Sequence, residues 1–456
     1  MDIFAVPVLD KVLIYAPLHQ LLALVDRAAA RLIQRHLYRA IPTGFASLQP
    51  ILSTLEQPAL PIPQARRGPL QEPLFLGLIP TRGCNLGCRY CDFALPKQKE
   101  PVMPFELARQ AVEAYFQLLV EHNQPRGEVH FFGGEPFFAE EVVHFVVNFA
   151  RLRAAQLGLQ VRFEVTTNGL YSAGRSQWIA DHFDTVVLSL DGPADIQELH
   201  RPALNGRPVH QVVERSARIF SDGAVELILR ACVTSQTVER LPEIAAWLGQ
   251  HFRPSTVTFE SLTESPLSLA AGLTPPDPWE FARQFCAAAR LLEPQGIQVV
   301  LSSANLHTLQ ASFCPVGKDA LIVSPDGRVD ACYLPAQEWE RNGLDLRLGR
   351  LAGGRLEIDP QALQRARQLT VHEKPLCAGC LCRYHCAGGC HVNHHTTAAP
   401  GQYDTLCLQT RLITIASLLR QLGQDELAAA WLADRQAMQA SAWQAGDALS
   451  QLEASL

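Results

Sequence analysis

Between residues 73 and 304, short apolar runs alternate with longer amphipathic stretches, and this rhythm limits the fold more than any other feature. The apolar runs are LFLGLIP (74–80), EVHFFG (128–133), QVRFEVTT (160–167), TVVLSLDG (185–192), VELILRACVT (225–234) and TVTFES (256–261). Their length and β-branched content predict strands. FELARQAVEAYFQLLVEH (105–122), EEVVHFVVNFARLRAAQ, VHQVVERSARIF and LPEIAAWLGQHF carry the helical period between them, and WEFARQFCAAARLLE closes the series. Such alternation implies a parallel sheet with right-handed crossovers. Six units fall short of an eight-fold closure, so the expectation is an α/β fold with a partial (β/α)6 barrel over residues 73–304.

In such sheets ligand-binding groups collect at the C-terminal strand ends. RGCNLGCRYC follows the first strand, GGEP (133–136) the second, TTNG (166–169) the third and SLDG (189–192) the fourth. Four unusual loops therefore fall on one rim. The first places Cys84, Cys88 and Cys91 in the spacing C-x3-C-x2-C, one thiolate short of a closed four-ligand zinc site. Three thiolates can instead hold a [4Fe–4S] cluster with one iron left open. A zinc knuckle completed by a distant ligand is the alternative, and His130 is the nearest plausible one.

The chain has 13 cysteines, and ten of them cluster: Cys84, Cys88, Cys91, Cys314, Cys332, Cys377, Cys380, Cys386, Cys390 and Cys407. The first thirty residues are interrupted by Asp10, Lys11, His19, Asp26 and Arg27, which fits neither a secretory signal nor a membrane span. The expectation is a cytoplasmic protein, where clustered thiols bind metal rather than pair. Cys232 and Cys286 read as small buried hydrophobes, and Cys382 has no assignment. A net charge of −6 leaves no basic footprint for nucleic acid, and no partnership with membrane is expected.

Outside the barrel, residues 1–58 read as a separate module: a hairpin-like VLIYAPLHQLLALV, then a helical DRAAARLIQRHLYR. It could present a sheet edge to a peptide or cap the barrel's open side. Residues 59–72 form a linker, 305–410 a cysteine-rich extension, and 411–456 terminal helices.

C-x3-C-x2-C with Tyr90 before its last cysteine, directly after a first barrel strand, resembles the radical SAM superfamily. That resemblance implies a [4Fe–4S] cluster on Cys84, Cys88 and Cys91 that binds S-adenosylmethionine (SAM) and cleaves it to a 5′-deoxyadenosyl radical. It places Gly133, Gly134, Glu135 and Pro136 at the methionine ammonium. Asn168 and Ser189 would face the ribose or carboxylate, and Tyr90 the adenine. Arg201 and Arg230 become candidates for the substrate's carboxylate side. Cys314-x12-Gly327-x4-Cys332, then Cys377-x2-Cys380-x5-Cys386-x3-Cys390 and Cys407, resembles the SPASM extension of peptide-modifying members. By that resemblance Cys377, Cys380, Cys386 and Cys407 hold one auxiliary cluster, and Cys314, Cys332 and Cys390 the other. The inner one would be open or completed by His307. A pair of zinc sites is the alternative at the level of the residues themselves.

The family likeness implies a peptide or protein substrate, such as a short precursor peptide, and an electron donor such as flavodoxin or ferredoxin. Anaerobic sulfatase-maturing members carry an acidic residue after the second extension cysteine, where this chain has Tyr333. The expectation is therefore a maturase that cross-links a ribosomally made peptide through a thioether or C–C bond, with Tyr333 as a candidate catalytic residue. A radical SAM dehydrogenase and a non-enzymatic iron–sulfur or zinc scaffold are the alternatives.

Overall fold

The computed structural model describes residues 2–39, 46–94, 101–394, 401–442 and 449. The N-terminal module is an antiparallel sheet of β1 (Phe4–Val8), β2 (Lys11–Ala16) and β3 (Leu21–Asp26), followed by helices Arg27–Arg39 and Gln49–Glu56. The expected hairpin is thus its second and third strands. The first, FAVPV, escapes periodicity because it is apolar throughout and buried.

The parallel sheet runs in chain order through β4 (Leu76–Leu78), β5 (Arg126–Phe131), β6 (Gln160–Thr167), β7 (Thr185–Ser189), β8 (Glu226–Val233), β9 (Thr256–Ser261) and β10 (Gln298–Val300). All six expected strands are present, and β10 adds a seventh that is too short to show a period. Each strand has two distinct faces. Along β8, Leu227, Leu229, Ala231 and Val233 are buried in the core, while Ile228, Arg230 and Cys232 turn to the inner face. Parallel register aligns the inner residues into rows: His130, Glu164, Thr185 and Glu226 form one, and Ser189, Arg230 and Thr258 a higher one.

The cysteine-rich extension does not stand apart from this sheet. Its β11 (Leu321–Val323) pairs in parallel with β4, and β12 (Arg328–Asp330), β13 (Arg347–Ala352) and β14 (Arg355–Ile358) continue antiparallel from it. Cys332 therefore emerges from a strand of the same sheet that carries the Cys84 loop. Helix Thr405–Gln421 crosses the expected boundary at residue 410, with Cys407 in its first turn and Asp404 as its N-cap.

The N-terminal module rests on the extension. The Tyr15 hydroxyl meets His385 Nε2, and Tyr384 donates to Asp2 Oδ2 at 2.7 Å. Leu18 packs with Val371, Cys377 and Tyr384. These contacts go to the cysteine-bearing segment. Among the described residues no helix is long and apolar enough to cross a membrane.

Candidate functional site

The cysteine loop is held from three sides. Gly134 N–H donates to Thr81 O at 3.1 Å and Glu135 N–H to Gly83 O at 2.9 Å. A Cβ on Gly134 would lie 2.1 Å from Gly83 O and 2.4 Å from Arg82 O, so only glycine permits this approach. On the second side, Asn168 Nδ2 donates to Asn85 Oδ1 at 2.8 Å and lies 3.6 Å from Cys84 Sγ. On the third, the LHRP segment zips onto the loop, through Gly87 N–H to Pro202 O (2.8 Å) and Arg89 N–H to His200 O (3.0 Å).

This geometry revises several expected roles. Arg201 is not turned to a substrate: its Nη2 donates to Asp191 Oδ1 at 3.1 Å, and its guanidinium lies 5.3 Å from the centre of the Tyr90 ring. The Tyr90 hydroxyl also donates to Asp191, so this side chain braces the loop. Asp191 further faces His200 Nδ1 at 3.1 Å and accepts Cys232 N–H at 3.0 Å. Burial alone would raise its pKa, but the Arg201 charge and the His200 and Arg201 hydrogen bonds hold its carboxyl well below the usual carboxylate range. Sequence spacing gave no sign that Asp191 and His200 are central here, because they meet only when LHRP folds back onto SLDG.

Glu135 is 1 % exposed and spends both oxygens on the fold. It accepts Phe137 N–H at 3.1 Å, the Thr167 hydroxyl at 2.8 Å and Asn168 N–H at 2.8 Å. Burial nevertheless outweighs these donors and pushes its pKa up to about 7 from 4.5. The folded state then binds the proton more tightly than the unfolded chain. Stability contributed through this group is present below about pH 4.5 and is lost as pH rises through about 7. Between about pH 5 and pH 8 the wild type should lose roughly 2–3 kcal/mol relative to Glu135→Gln. Urea unfolding at both pH values, without added SAM, measures it. The hydrogen bonds lost to the glutamine amide give a constant offset and leave the slope untouched.

Higher on the inner face, Ser189 and Arg230 are register partners. No hydrogen bond or ion pair engages the Arg230 side chain among the described residues, so its charge is open to the inner space. Tyr333 reaches the same space from the extension. Its ring centre lies 4.7 Å from that of Phe132 and 6.3 Å from that of Phe75. Its hydroxyl is buried and has no hydrogen-bond partner among the described residues, and it sits where a Cβ on Gly77 would be, at 2.5 Å. Burial, then the charges of Glu164 and Cys332, push its pKa well above the ordinary phenol range. Arg82 Nη1 donates to the Tyr333 carbonyl at 3.1 Å, linking this residue to the cysteine loop.

The remaining clustered cysteines fall into two groups. Cys377, Cys380, Cys386 and Cys407 line one small cavity. Cys314, Cys332 and Cys390 form the other: burial and then one another's charge push the Cys314 and Cys332 thiols up to about 11 and about 12. His307 is exposed, bonded to Gln298 at 3.1 Å, and takes no part. Sequence reading missed three residues of the outer cavity. Cys382 lines it, His394 Nε2 lies 3.1 Å from Cys407 Sγ, and Arg411 Nη1 donates to Cys380 Sγ at 3.2 Å. Position within the dense cysteine run was the one available hint for Cys382. His130, the ligand considered for a zinc knuckle, instead stacks on Phe75 at 4.1 Å and pairs with Glu128 at 3.1 Å.

The donor set suits iron–sulfur clusters. Three thiols converge on the barrel rim, and Cys84 Sγ already accepts Leu86 N–H at 3.4 Å, the kind of N–H···S contact that stabilises a ligating thiolate. The radical SAM superfamily model matches residues 78–248, spanning this loop, GGEP, TTNG and SLDG. The chain carries a radical SAM domain. It is 26 % identical over 371 residues to the serine-type anaerobic sulfatase-maturating enzyme of Klebsiella aerogenes, covering 75 % of this chain and 85 % of that protein. It is 29 % identical over 180 residues to the cysteine-type enzyme of Clostridium perfringens (strain 13 / Type A), covering 38 % of this chain and 47 % of that one.

In fold it resembles native anSMEcpe with bound AdoMet (TM-score 0.59, 19 % identity, 76 % of this chain and 99 % of that one). It also resembles Streptococcus suis SuiB bound to S-adenosylmethionine (TM-score 0.51, 14 % identity, 86 % and 95 %). The protein is thus an enzyme whose cofactors are SAM and a [4Fe–4S] cluster. When bound, that cluster supplies the electron for reductive cleavage of SAM. The chain's own part is to fix the loop through Gly134, Asn168, Tyr90 and Asp191, and to line the inner face with Ser189, Arg230 and Tyr333.

Proposed function

We propose that this radical SAM enzyme abstracts hydrogen from a peptide or protein substrate and installs an intramolecular thioether or C–C cross-link. Cys84, Cys88 and Cys91 would hold the SAM-binding cluster, and the two further cysteine groups would hold auxiliary clusters. The observation that carries the peptide reading is the join between β4 and β11. It builds two auxiliary thiol groups onto the sheet of the radical SAM domain and brings Tyr333 over the inner face. A substrate held there would lie between the rim cysteines and Cys332.

Tyr333 also supports cross-linking over simple side-chain oxidation. Burial holds its hydroxyl pKa well above the ordinary phenol range, so it is a poor resting base. The relatives named as sulfatase-maturating enzymes favour the second reading, oxidation of a serine or cysteine side chain. An electron donor of the flavodoxin or ferredoxin class would serve the cluster. The outer edge of β3, which among the described residues pairs with β2 alone, offers a peptide a place to add as a further strand.

Anaerobic reconstitution, incubation with SAM and a strong reductant, and co-expression with each short reading frame found beside the gene test this reading. The expected results are 5′-deoxyadenosine and a peptide lighter by two hydrogens whose fragmentation is blocked between two residues. A product that reacts with an aldehyde trap would favour side-chain oxidation instead. Absence of 5′-deoxyadenosine from iron-replete protein would sink both readings.

A further inference from the structure

Two cations lie buried among the extension's cysteines, and neither follows from the ligand spacing. Lys374 is 2 % exposed, and its Nζ donates to Gly388 O at 2.5 Å. Gly388 lines the outer cavity. A Cβ there would lie 2.9 Å from Lys374 Cδ, so glycine leaves the passage that lets the lysine reach in. Burial lowers the Lys374 pKa, and the sulfurs of Cys377, Cys386 and Cys407 of the outer group, together with Cys390 of the inner one, work against that shift and favour the charged amine. Cys314 of the inner group feels Lys374 in turn. Among the described residues no carboxylate pairs with this lysine. Arg411 is 1 % exposed and reaches an outer-group sulfur directly: Nη1 lies 3.2 Å from Cys380 Sγ, Nε donates to Ala442 O at 2.9 Å, and the guanidinium lies 4.3 Å from the centre of the Tyr403 ring.

A buried cation is costly unless a negative charge answers it, and here the nearest negative groups are ligand sulfurs. Reduction adds negative charge to a buried cluster, so a fixed cation beside it favours the reduced form and raises the reduction potential. An N–H···S hydrogen bond to a ligand works in the same direction. We propose that Lys374 is a counter-charge shared by both auxiliary clusters, holding both potentials up, whereas Arg411 acts on the outer cluster alone through Cys380. This inference rests on the assignment of the two auxiliary sites. It extends that assignment by naming the groups that set the sites' potentials. Both are positioning residues.

EPR-monitored redox titration of the reconstituted full chain tests it, with iron and sulfide content measured on every sample. The SAM-binding cluster is set apart by the change in its signal when SAM is added. Lys374→Met should move both remaining transitions to more negative potential, and Lys374→Arg should return them toward the wild-type values. Arg411→Met, or Arg411→Lys where methionine does not fold, should move one transition and leave the other. Retained iron with neither transition displaced in Lys374→Met overturns the proposal. So does an equal displacement of both transitions by the arginine variants. Loss of auxiliary iron in both Lys374→Met and Lys374→Arg would make the lysine a packing element and also overturn it. A wild-type iron content far below three clusters would instead refute the site assignment, which keeps the two failures distinct.

Discussion

Replacing Cys84, Cys88 and Cys91 together by alanine is expected to abolish 5′-deoxyadenosine formation while most of the iron stays bound. The expectation follows from how the thiols are partitioned in space. The rim trio sits on a loop braced by GGEP, TTNG and LHRP, whose hydrogen bonds run through backbone atoms and through Asn85, Asn168 and Glu135. Among the described residues, only the contacts to Cys84 Sγ involve the sulfurs themselves. Alanine there removes the ligands and leaves the loop's supports standing.

The extension's two groups are anchored elsewhere, by β11, by helix Thr405–Gln421 and by the N-terminal module. Iron analysis and product chromatography on the same preparation give the answer. Loss of all iron would mean that the three sites fold as one unit, and unchanged product formation would remove the radical SAM site from this loop. Metal uptake by the wild type should also release protons. Burial pushes the Cys84 thiol up to about 12, so iron must displace a proton that solvent alone would not remove near neutrality.

The strands and the ligand cysteines were legible because each carries a local signal. Strand β6 matches its sequence reading residue for residue, since QVRFEVTT alternates between core and inner face. The C-x3-C-x2-C spacing likewise works over eight positions. What stayed hidden were partnerships over long separations. Tyr333 looked like one residue after a cysteine, yet its place depends on β11 joining β4 and on Gly77 leaving room for its hydroxyl. Arg201 looked available because its partner Asp191 lies in a different motif. Lys374 and Arg411 carried no signal at all, since a surface and a buried cation are identical in sequence. A glycine fourteen residues from the lysine, Gly388, decides the matter for Lys374.

The second large effect concerns Asp191, which carries the loop's main electrostatic support. Asp191→Ala should lower stability by about 3–5 kcal/mol, the usual cost of stranding one partner of a buried ion pair. Arg201 would be left without its carboxylate, and the Tyr90 hydroxyl and Cys232 N–H without their acceptor. Asp191→Asn should cost less, because an amide oxygen keeps one acceptor, but it still leaves the guanidinium uncompensated. The double variant Asp191→Asn, Arg201→Met should therefore recover part of the loss, since removing both charges is cheaper than leaving one. A simple packing role for Asp191 predicts the reverse, with the two losses adding.

The pH profile separates this group from Glu135. The folded-state pKa of Asp191 lies below its ordinary value of 3.8, so its contribution is present above that value and fades only as pH falls further. Across the range in which Glu135 titrates, the Asp191 variants should therefore run parallel to the wild type. Urea unfolding of the single and double variants at about pH 5 and pH 8, with 5′-deoxyadenosine formation measured beside it, reads both effects. Additive losses in the double variant, or a difference from wild type that changes between the two pH values, would place the loop's support elsewhere.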